Sequence, residues 1–205
     1  MARRVLVDID TQILNAVMEI GAAGGIASVT TQKVAKICGI SHFTCFDHFG
    51  TKQNMLDKAA EVFENRYMEV LMSHMAKTTD IKELWLEMLE ELRKDANGTL
   101  YFLNYVTYYS YMLTPQKNTN FTLFKGTIAK TIGDIPGFTD EMYMLTWDYI
   151  VTQVFLYAKY MIRHQIPDDE QTRLFVRDFV FKGIDRVIFE ARQGSPPPSE
   201  IKWKK

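Results

Sequence analysis

The sequence predicts an all-α protein, and three observations support that fold class. Only six of the 205 residues are proline, and none of them precedes Pro115. Because proline interrupts the interior of a helix, so long a stretch without it favours helices. Apolar residues recur at spacings of three and four, as on one face of a helix, and no segment reads as a convincing strand. Apolar residues also make up 47% of the chain, which is enough to build a core.

Three short helices are predicted at the start of the chain, over residues 9–22, 31–37 and 42–49. The first carries an apolar stripe and ends at Gly24-Gly25, where glycine can adopt the left-handed conformation that closes a helix. Thr30 and Ser41 stand where the second and third helices need an N-cap. The turn Cys38-Gly39-Ile40 separates those two helices. Two short capped helices joined by a glycine-containing turn describe a helix-turn-helix.

Six further helices are predicted after this motif. The first is capped by Thr51 and keeps one apolar face as far as His74. Asn97-Gly98 is predicted to separate the second from the third, and Pro136-Gly137 and Ile166-Pro167 mark later breaks. The predicted spans are about 52–74, 81–92, 100–113, 121–132, 140–165 and 168–193, followed by a proline-rich tail ending in Lys202-Trp203-Lys204-Lys205.

Composition and charge exclude several classes of protein. The chain carries 24 basic and 25 acidic side chains, and this balance argues against a strongly basic nucleic-acid-binding domain. Asp8 precedes any apolar run of signal-peptide length, and no apolar segment is long enough to span a bilayer, so a cytoplasmic protein is expected. Two cysteines provide neither a disulfide framework nor a zinc constellation.

The start of the chain resembles the TetR family of transcriptional regulators. The resemblance covers about residues 10–57, and the rest of the chain matches that family only in length and helical layout. It implies a helix-turn-helix DNA-binding domain over 1–52, a larger helical ligand-binding and dimerisation domain over 53–194, and a flexible tail over 195–205. The matching stretches are Ile13-Leu14-Asn15-Ala16-Val17, Thr30-Thr31, Ala35 to Ser41 with its Gly39-Ile40 turn, and Phe49-Gly50-Thr51-Lys52.

The resemblance also implies which side chains contact DNA. The third helix is the expected recognition helix, with polar side chains for base edges on one face while Cys45 and Phe49 face inward. Lys52 matches a lysine of the family that contacts a DNA phosphate, and its place at the positive end of the fourth helix supports that role. The predicted DNA-binding set is Thr31, Gln32, Ser41, His42, Phe43, Thr44, Phe46, Asp47, His48 and Lys52.

Three residues depart from the family pattern. Phe43 replaces a small residue, so an aromatic ring is expected against a thymine methyl group or a sugar. Phe46 replaces a tyrosine and lacks the hydroxyl that would donate to phosphate. Asp47 brings a negative charge that can accept from a cytosine amino group or weaken non-specific binding. These departures leave the operator sequence open.

A cluster of aromatic residues is the second functional signal. Fifteen of the 26 aromatic residues lie between Tyr101 and Tyr160. Since each buried tyrosine hydroxyl needs a partner, such a cluster suits a cavity with a partly apolar ligand, although a tyrosine-rich core is the alternative. The predicted ligand-binding residues are Tyr101, Tyr105, Tyr108, Tyr109, Phe124, Trp147 and Phe155.

Other chemistry receives little support from the sequence. Cys38 and Cys45 are interpreted as small buried residues that pack the helix pair rather than as a redox switch. His42 and His48 have no carboxylate or cysteine at metal-ligand spacing, and His74 and His164 are interpreted as packing or surface residues. No nucleophile–base pair, carboxylate dyad or phosphate-binding loop has a telling spacing, so neither an enzyme nor a bound metal or cofactor is expected.

The sequence therefore predicts a cytoplasmic transcriptional regulator that is released from its operator by a small, partly apolar or aromatic effector. The resemblance implies a repressor that forms a homodimer through its last two helices on a palindromic operator. The alternative is a helical partner-binding protein whose helix-turn-helix no longer reads DNA. Residues 1–52 carry a net charge of only +1, so affinity is expected to depend on placed contacts. The charges concerned are Arg3, Arg4, Lys33, Lys36 and Lys52 against Asp8, Asp10, Glu19 and Asp47.

Overall fold

A computed structural model describes residues 8–78, 80–109 and 135–194, and these residues form helices and turns without a strand. The predicted all-α class is therefore confirmed. The loop predicted over 115–120, the helix predicted over 121–132 and the tail lie outside the described residues. The helices are α1 (Ile9–Gly24), α2 (Thr31–Cys38), α3 (His42–Phe49), α4 (Lys52–Met75), α5 (Ile81–Lys94), α6 (Ala96–Tyr109), α7 (Asp140–His164) and α8 (Glu170–Arg192).

The predicted caps at the start of the chain are present. The Thr30 hydroxyl accepts from the Lys33 N–H at 3.2 Å, and the Ser41 hydroxyl accepts from the Phe43 N–H at 3.0 Å. Thr51 caps α4 by accepting from the Asn54 N–H at 3.0 Å. Each cap satisfies an N–H group that the first turn of a helix leaves without an intrahelical partner. Between α2 and α3, Gly39 has a φ of 67°, so the turn depends on a left-handed residue.

The predicted break between α5 and α6 is present, but it lies at Asp95 and not at Asn97-Gly98. The helix α6 begins at Ala96, so this dipeptide lies in its first turn. The Asp95 carboxylate accepts from the Gly98 N–H at 3.2 Å and starts the helix there. A Cβ atom at Gly98 would come within 2.7 Å of the Phe63 ring, so glycine is needed for close packing and not for a break.

The chain divides into two compact units. The first comprises Met1–Glu69 with Lys94–Thr114, and the second comprises Val70–Arg93 with Pro115–Lys205. Helix α4 crosses a unit boundary between Glu69 and Val70, and helix α5 crosses a second one between Arg93 and Lys94. These units describe how the chain packs, whereas the division of roles at residue 52 stays a prediction.

In the first unit, Tyr101 joins three helices. Helix α1 packs against α2 and α6, and α2 packs against α3. The Tyr101 side chain on α6 is 0% exposed, and its hydroxyl donates to the Leu56 carbonyl of α4 at 2.7 Å. On the other side, the ring lies against Gly21 of α1, whose carbonyl accepts from the Asn104 amide at 2.9 Å. The three-helix start of the chain is thereby fixed to α4 and α6.

In the second unit, Trp85 of α5 connects α7 and α8, which pack against each other. Its indole N–H donates to the Ile150 carbonyl of α7 at 3.1 Å, and Phe181 of α8 meets its ring edge-on at 6.1 Å. Arg93, near the end of α5, pairs with Asp168 at 2.6 Å, just before α8 begins. A buried ring whose single donor is satisfied adds apolar contact without an unpaired polar group.

Two helical glycines give a matched test of this packing. A Cβ atom at Gly21 would lie 2.5 Å from the Tyr101 ring, whereas one at Gly183 would meet nothing within 4 Å. We expect Gly21→Ala to lower the free energy of unfolding by about 1–3 kcal/mol through overpacking. Gly183→Ala is expected to raise it by about 0.5–1 kcal/mol through helix propensity. Urea unfolding followed by circular dichroism measures both, and a Gly21→Ala protein as stable as the parent would contradict the close approach.

Candidate nucleic-acid interface and apolar cavity

The helix-turn-helix is held together by its inward residues. Val34 and Ala35 of α2 and Cys45 of α3 are buried, and the Cys45 thiol lies 3.9 Å from the Thr31 carbonyl of α2. The opposite side of α3 remains open to solvent along its length. An eight-residue helix that is packed on one side and open on the other has the form of a recognition helix that enters the major groove.

The ten residues predicted to contact DNA lie in α2, in α3, at the α3 cap or at the start of α4. All ten therefore lie within residues 31–52 of the first unit, nine of them in the helix-turn-helix and Lys52 just after it. Phe49, predicted to face inward, is half-buried. The exposed members are Gln32, Ser41, Phe43, Phe46, Asp47 and His48, and the half-buried members are Thr31, His42, Thr44 and Lys52.

Two aromatic side chains stand out on α3. Phe43 is 66% exposed and Phe46 is 42% exposed, although phenylalanine is usually buried. The ring of His42 lies 4.1 Å from the ring of Phe43, centroid to centroid. Helix α3 therefore begins with a pair of neighbouring rings beside its polar side chains.

His48 has a partner that the sequence did not reveal. Its Nδ1 lies 2.5 Å from a carboxylate oxygen of Asp10, near the start of α1. Because the carboxylate accepts, Nδ1 carries the proton, and the last turn of α3 is tied to α1. Asp10 is 38 residues away in the chain, so no local pattern could have indicated the pair.

The two cysteines are free thiols, one half-buried and one buried. Burial raises the thiol pKa of Cys38, and the nearby Cys45 raises it further. Burial also raises the thiol pKa of Cys45. Since the thiolate is the reactive form, both groups are held in their unreactive form at neutral pH. Their environment agrees with the interpretation of the cysteines as packing residues.

Three of the predicted ligand-binding tyrosines form a row along α6. The Tyr101, Tyr105 and Tyr109 rings follow one another at spacings of 6.2 Å and 4.9 Å between centroids. The Tyr105 hydroxyl donates to the Asp57 carboxylate at 2.6 Å, and the Tyr109 hydroxyl donates to the Gln53 amide oxygen at 2.8 Å. The argument that these hydroxyls need a ligand therefore does not apply to them, because α4 supplies a partner for each.

The chemistry of the row follows from its partners. Burial raises the pKa of the Tyr101 hydroxyl. Burial and the hydrogen bond to Asp57 raise the pKa of Tyr105. Both hydroxyls are consequently neutral donors at physiological pH. Sequence reasoning missed Asp57 and Gln53, and the four-residue spacing along α4 is the signal that could have suggested them.

The other predicted ligand-binding residues are dispersed. Tyr108 is exposed, Trp147 is buried and Phe155 is half-buried, while Phe124 lies outside the described residues. The first of these belongs to the first unit and the next two belong to the second. Their assignment to one ligand site stays a prediction.

The second unit contains an apolar cavity of about 600 Å³ between α7 and α8. Two of the three hydroxyls in its lining are used within the protein, since Tyr143 accepts from the Ile135 N–H at 3.1 Å and Thr146 donates to the Met142 carbonyl at 2.8 Å; the third hydroxyl belongs to Tyr149. Charged side chains are absent from the described lining. The lining comprises Ile135, Phe138, Met142, Tyr143, Leu145, Thr146, Tyr149, Val180, Gly183, Ile184, Val187 and Ile188.

Two further findings concern the described part of the chain. No group of three or more histidine, cysteine, aspartate or glutamate residues there is placed to hold a metal ion. None of the helices described combines the length and apolar character needed to cross a membrane.

Solved structures share this fold. No model of a protein family and no curated protein matches the chain. A TetR family transcription regulator from Marinobacter aquaeolei VT8 aligns with a TM-score of 0.65 at 13% identity, covering 85% of this chain and 94% of that one. A fatty acid degradation regulator from Bacillus halodurans aligns with a TM-score of 0.63 at 16% identity, covering 89% and 95%. A TetR-like transcriptional regulator from Rhodococcus sp. RHA1 gives 0.62 at 14% identity, covering 90% and 98%. The chain therefore has the all-α fold of the TetR regulators.

Proposed function

We propose that this protein is a sequence-specific DNA-binding transcriptional regulator, with repression as the mode of action that the TetR resemblance implies. The observation that carries the proposal is the helix α3, which is capped by Ser41, anchored by buried Cys45 and open to solvent on its other side. Lys52 begins α4 beside the N–H groups of its first turn, where a phosphate would be favoured. The fold and the placement of the side chains on α3 and at Lys52 therefore both support DNA binding.

Exposed apolar side chains on the last two helices support a homodimer. Phe175 and Phe179 of α8 stack on each other, and each is 68% exposed. Surfaces of this kind on a soluble chain mark interaction sites, and an identical partner is the simplest one for a two-fold symmetric operator. We name this surface the α7–α8 face; its exposed apolar members are Leu145, Tyr149, Leu156, Tyr160, Leu174, Phe175, Phe179 and Phe189.

The cavity between α7 and α8 supports an effector that carries no charge. A charged ligand would need a partner of opposite charge, and the described lining supplies none. The cavity volume of about 600 Å³ lies within the range of roughly 300–1,000 Å³ that is usual for small-molecule pockets. The effector lowers operator affinity only if it binds the operator-free state more tightly than the bound state. Helix α4 continues from one compact unit into the other and offers a covalent route between them.

The DNA-binding proposal is tested with Lys52→Gln and its matched control, Lys58→Gln. Lys58 is on the same helix but is paired with Glu61 at 2.8 Å. After an operator has been selected from random duplex DNA, log affinity is measured against log salt concentration. Each lost phosphate contact should reduce the slope by roughly 0.9, or by about 1.8 for a dimer. Lys58→Gln should leave the slope unchanged.

Two results would contradict this proposal, the first its DNA binding and the second its phosphate contact at Lys52. One is a parent protein that shows neither sequence preference nor salt dependence, which would favour a protein partner for the exposed rings of α3. The other is an equal loss of slope in both lysine variants, which would assign the effect to bulk charge.

The dimer is tested by placing a charge on the α7–α8 face. Phe179→Asp should convert a dimer to a monomer, because an unpaired carboxylate would be buried between the subunits. Met72→Asp is the control, since Met72 is an exposed apolar residue of α4 outside this face. Sedimentation equilibrium gives the masses. A parent monomer, or a Phe179→Asp dimer as stable as the parent, would contradict the proposal.

The effector site is tested by filling the cavity from Gly183. Nothing stands within 4 Å of the position that a Cβ atom would occupy there, so Gly183→Leu should project into the cavity and Gly183→Ala should leave most of it open. An uncharged fluorescent dye such as Nile red should bind the parent and the alanine variant, weaken operator binding in both, and lose affinity for the leucine variant. Equal dye binding by all three proteins would place the dye, and the effector site, elsewhere.

A further inference from the structure

Phe43 contributes little to the fold for a residue of its size. Its ring is 66% exposed, and the ring contact it makes is with the adjacent His42. Its backbone N–H is already used by the Ser41 cap, so the backbone holds the side chain at a fixed place in the first turn of α3. A phenylalanine in water forfeits the stabilisation that burial gives to an apolar ring. The position is therefore better explained by an external contact than by folding.

The first turn of a recognition helix faces base edges. In helix-turn-helix proteins the N-terminal residues of the second helix of the motif approach the bases in the major groove. Most of the groups that the bases present there are hydrogen-bond donors and acceptors, and the thymine 5-methyl group is the apolar exception. A phenyl ring has no strong donor or acceptor, so it would desolvate the other edges without replacing their hydrogen bonds.

We propose that Phe43 is a specificity-determining residue that contacts the 5-methyl group of a thymine in each half-site of the operator. This inference rests on the proposed DNA-binding function and adds the identity of one base that the protein reads. The methyl contact favours thymine, and the desolvation of polar edges disfavours the other bases at the same position. His42, whose ring lies against that of Phe43, limits the directions the phenyl ring can take.

Phe46 provides a comparison on the same helix. It lies three residues further along α3 and is 42% exposed, so its ring is more enclosed than that of Phe43. If Phe46 contacts DNA, the base or sugar concerned must be displaced along the groove, because the two side chains leave the helix at different heights. A loss of discrimination at one base pair can therefore be assigned to one of the two rings.

The experiment removes single methyl groups from the DNA. A high-affinity operator is first selected with the full chain from random duplex DNA, and each thymine is then replaced in turn by deoxyuridine, which keeps the hydrogen-bonding edge and lacks the methyl group. At one symmetric pair of positions, affinity for the parent protein should fall about fourfold per half-site, or on the order of 15-fold for both. In Phe43→Ala, the same replacement should have no effect.

The variants separate the contact from general damage. Phe43→Ala should fold normally, because an exposed side chain is removed and alanine favours a helix. Phe46→Ala should retain the discrimination between thymine and uracil at the position assigned to Phe43, whatever its own affinity. The inference is overturned if no replacement weakens binding by the parent, or if the critical replacement weakens Phe43→Ala equally. If no operator can be selected at all, the DNA-binding proposal itself fails, which is a different result.

Discussion

The packing of Tyr101 is the constraint on which the first unit depends. Its ring occupies the space that a side chain at position 21 of α1 would need, and its hydroxyl satisfies the Leu56 carbonyl of α4. Three helices are thereby fixed by one buried side chain, whose single polar atom is paired. Because α1 packs on α2 and α2 packs on α3, a small rotation of α1 would move every side chain on α3.

The tyrosine row extends this constraint towards the candidate interface. Tyr105 and Tyr109 bond to Asp57 and Gln53, in the first two turns of α4. Those turns begin with Lys52, the expected phosphate contact. Three of the residues that suggested a ligand cavity from composition thus hold α4 in the folded chain, next to the candidate nucleic-acid interface. A tyrosine-rich surface satisfied by α4 also explains how so many hydroxyls are accommodated in a packed helical unit.

The charges on the candidate nucleic-acid interface are balanced rather than strongly positive. His48 is paired with Asp10, Asp47 is exposed, and Lys33 donates to the Ser28 carbonyl at 3.0 Å. Such a surface gives little non-specific attraction to phosphates, so discrimination must come from individual contacts. The second unit, by contrast, carries exposed aromatic rings and a cavity without charged lining residues. These features favour apolar contacts. The two compact units thus present surfaces of different chemistry.

The sequence by itself determined the starts and ends of the first helices and the helix-turn-helix. Thr30, Ser41 and Gly39 act through hydrogen bonds and backbone angles within a few residues, so their effects can be read locally. Only the tertiary structure decided the partners of Tyr101 and Tyr105, which lie 45 and 48 residues away. It also decided that Asn97-Gly98 starts a helix and that the described cavity lies between α7 and α8. These features depend on which helix faces meet, and that is decided by the packing of segments that are distant in the sequence.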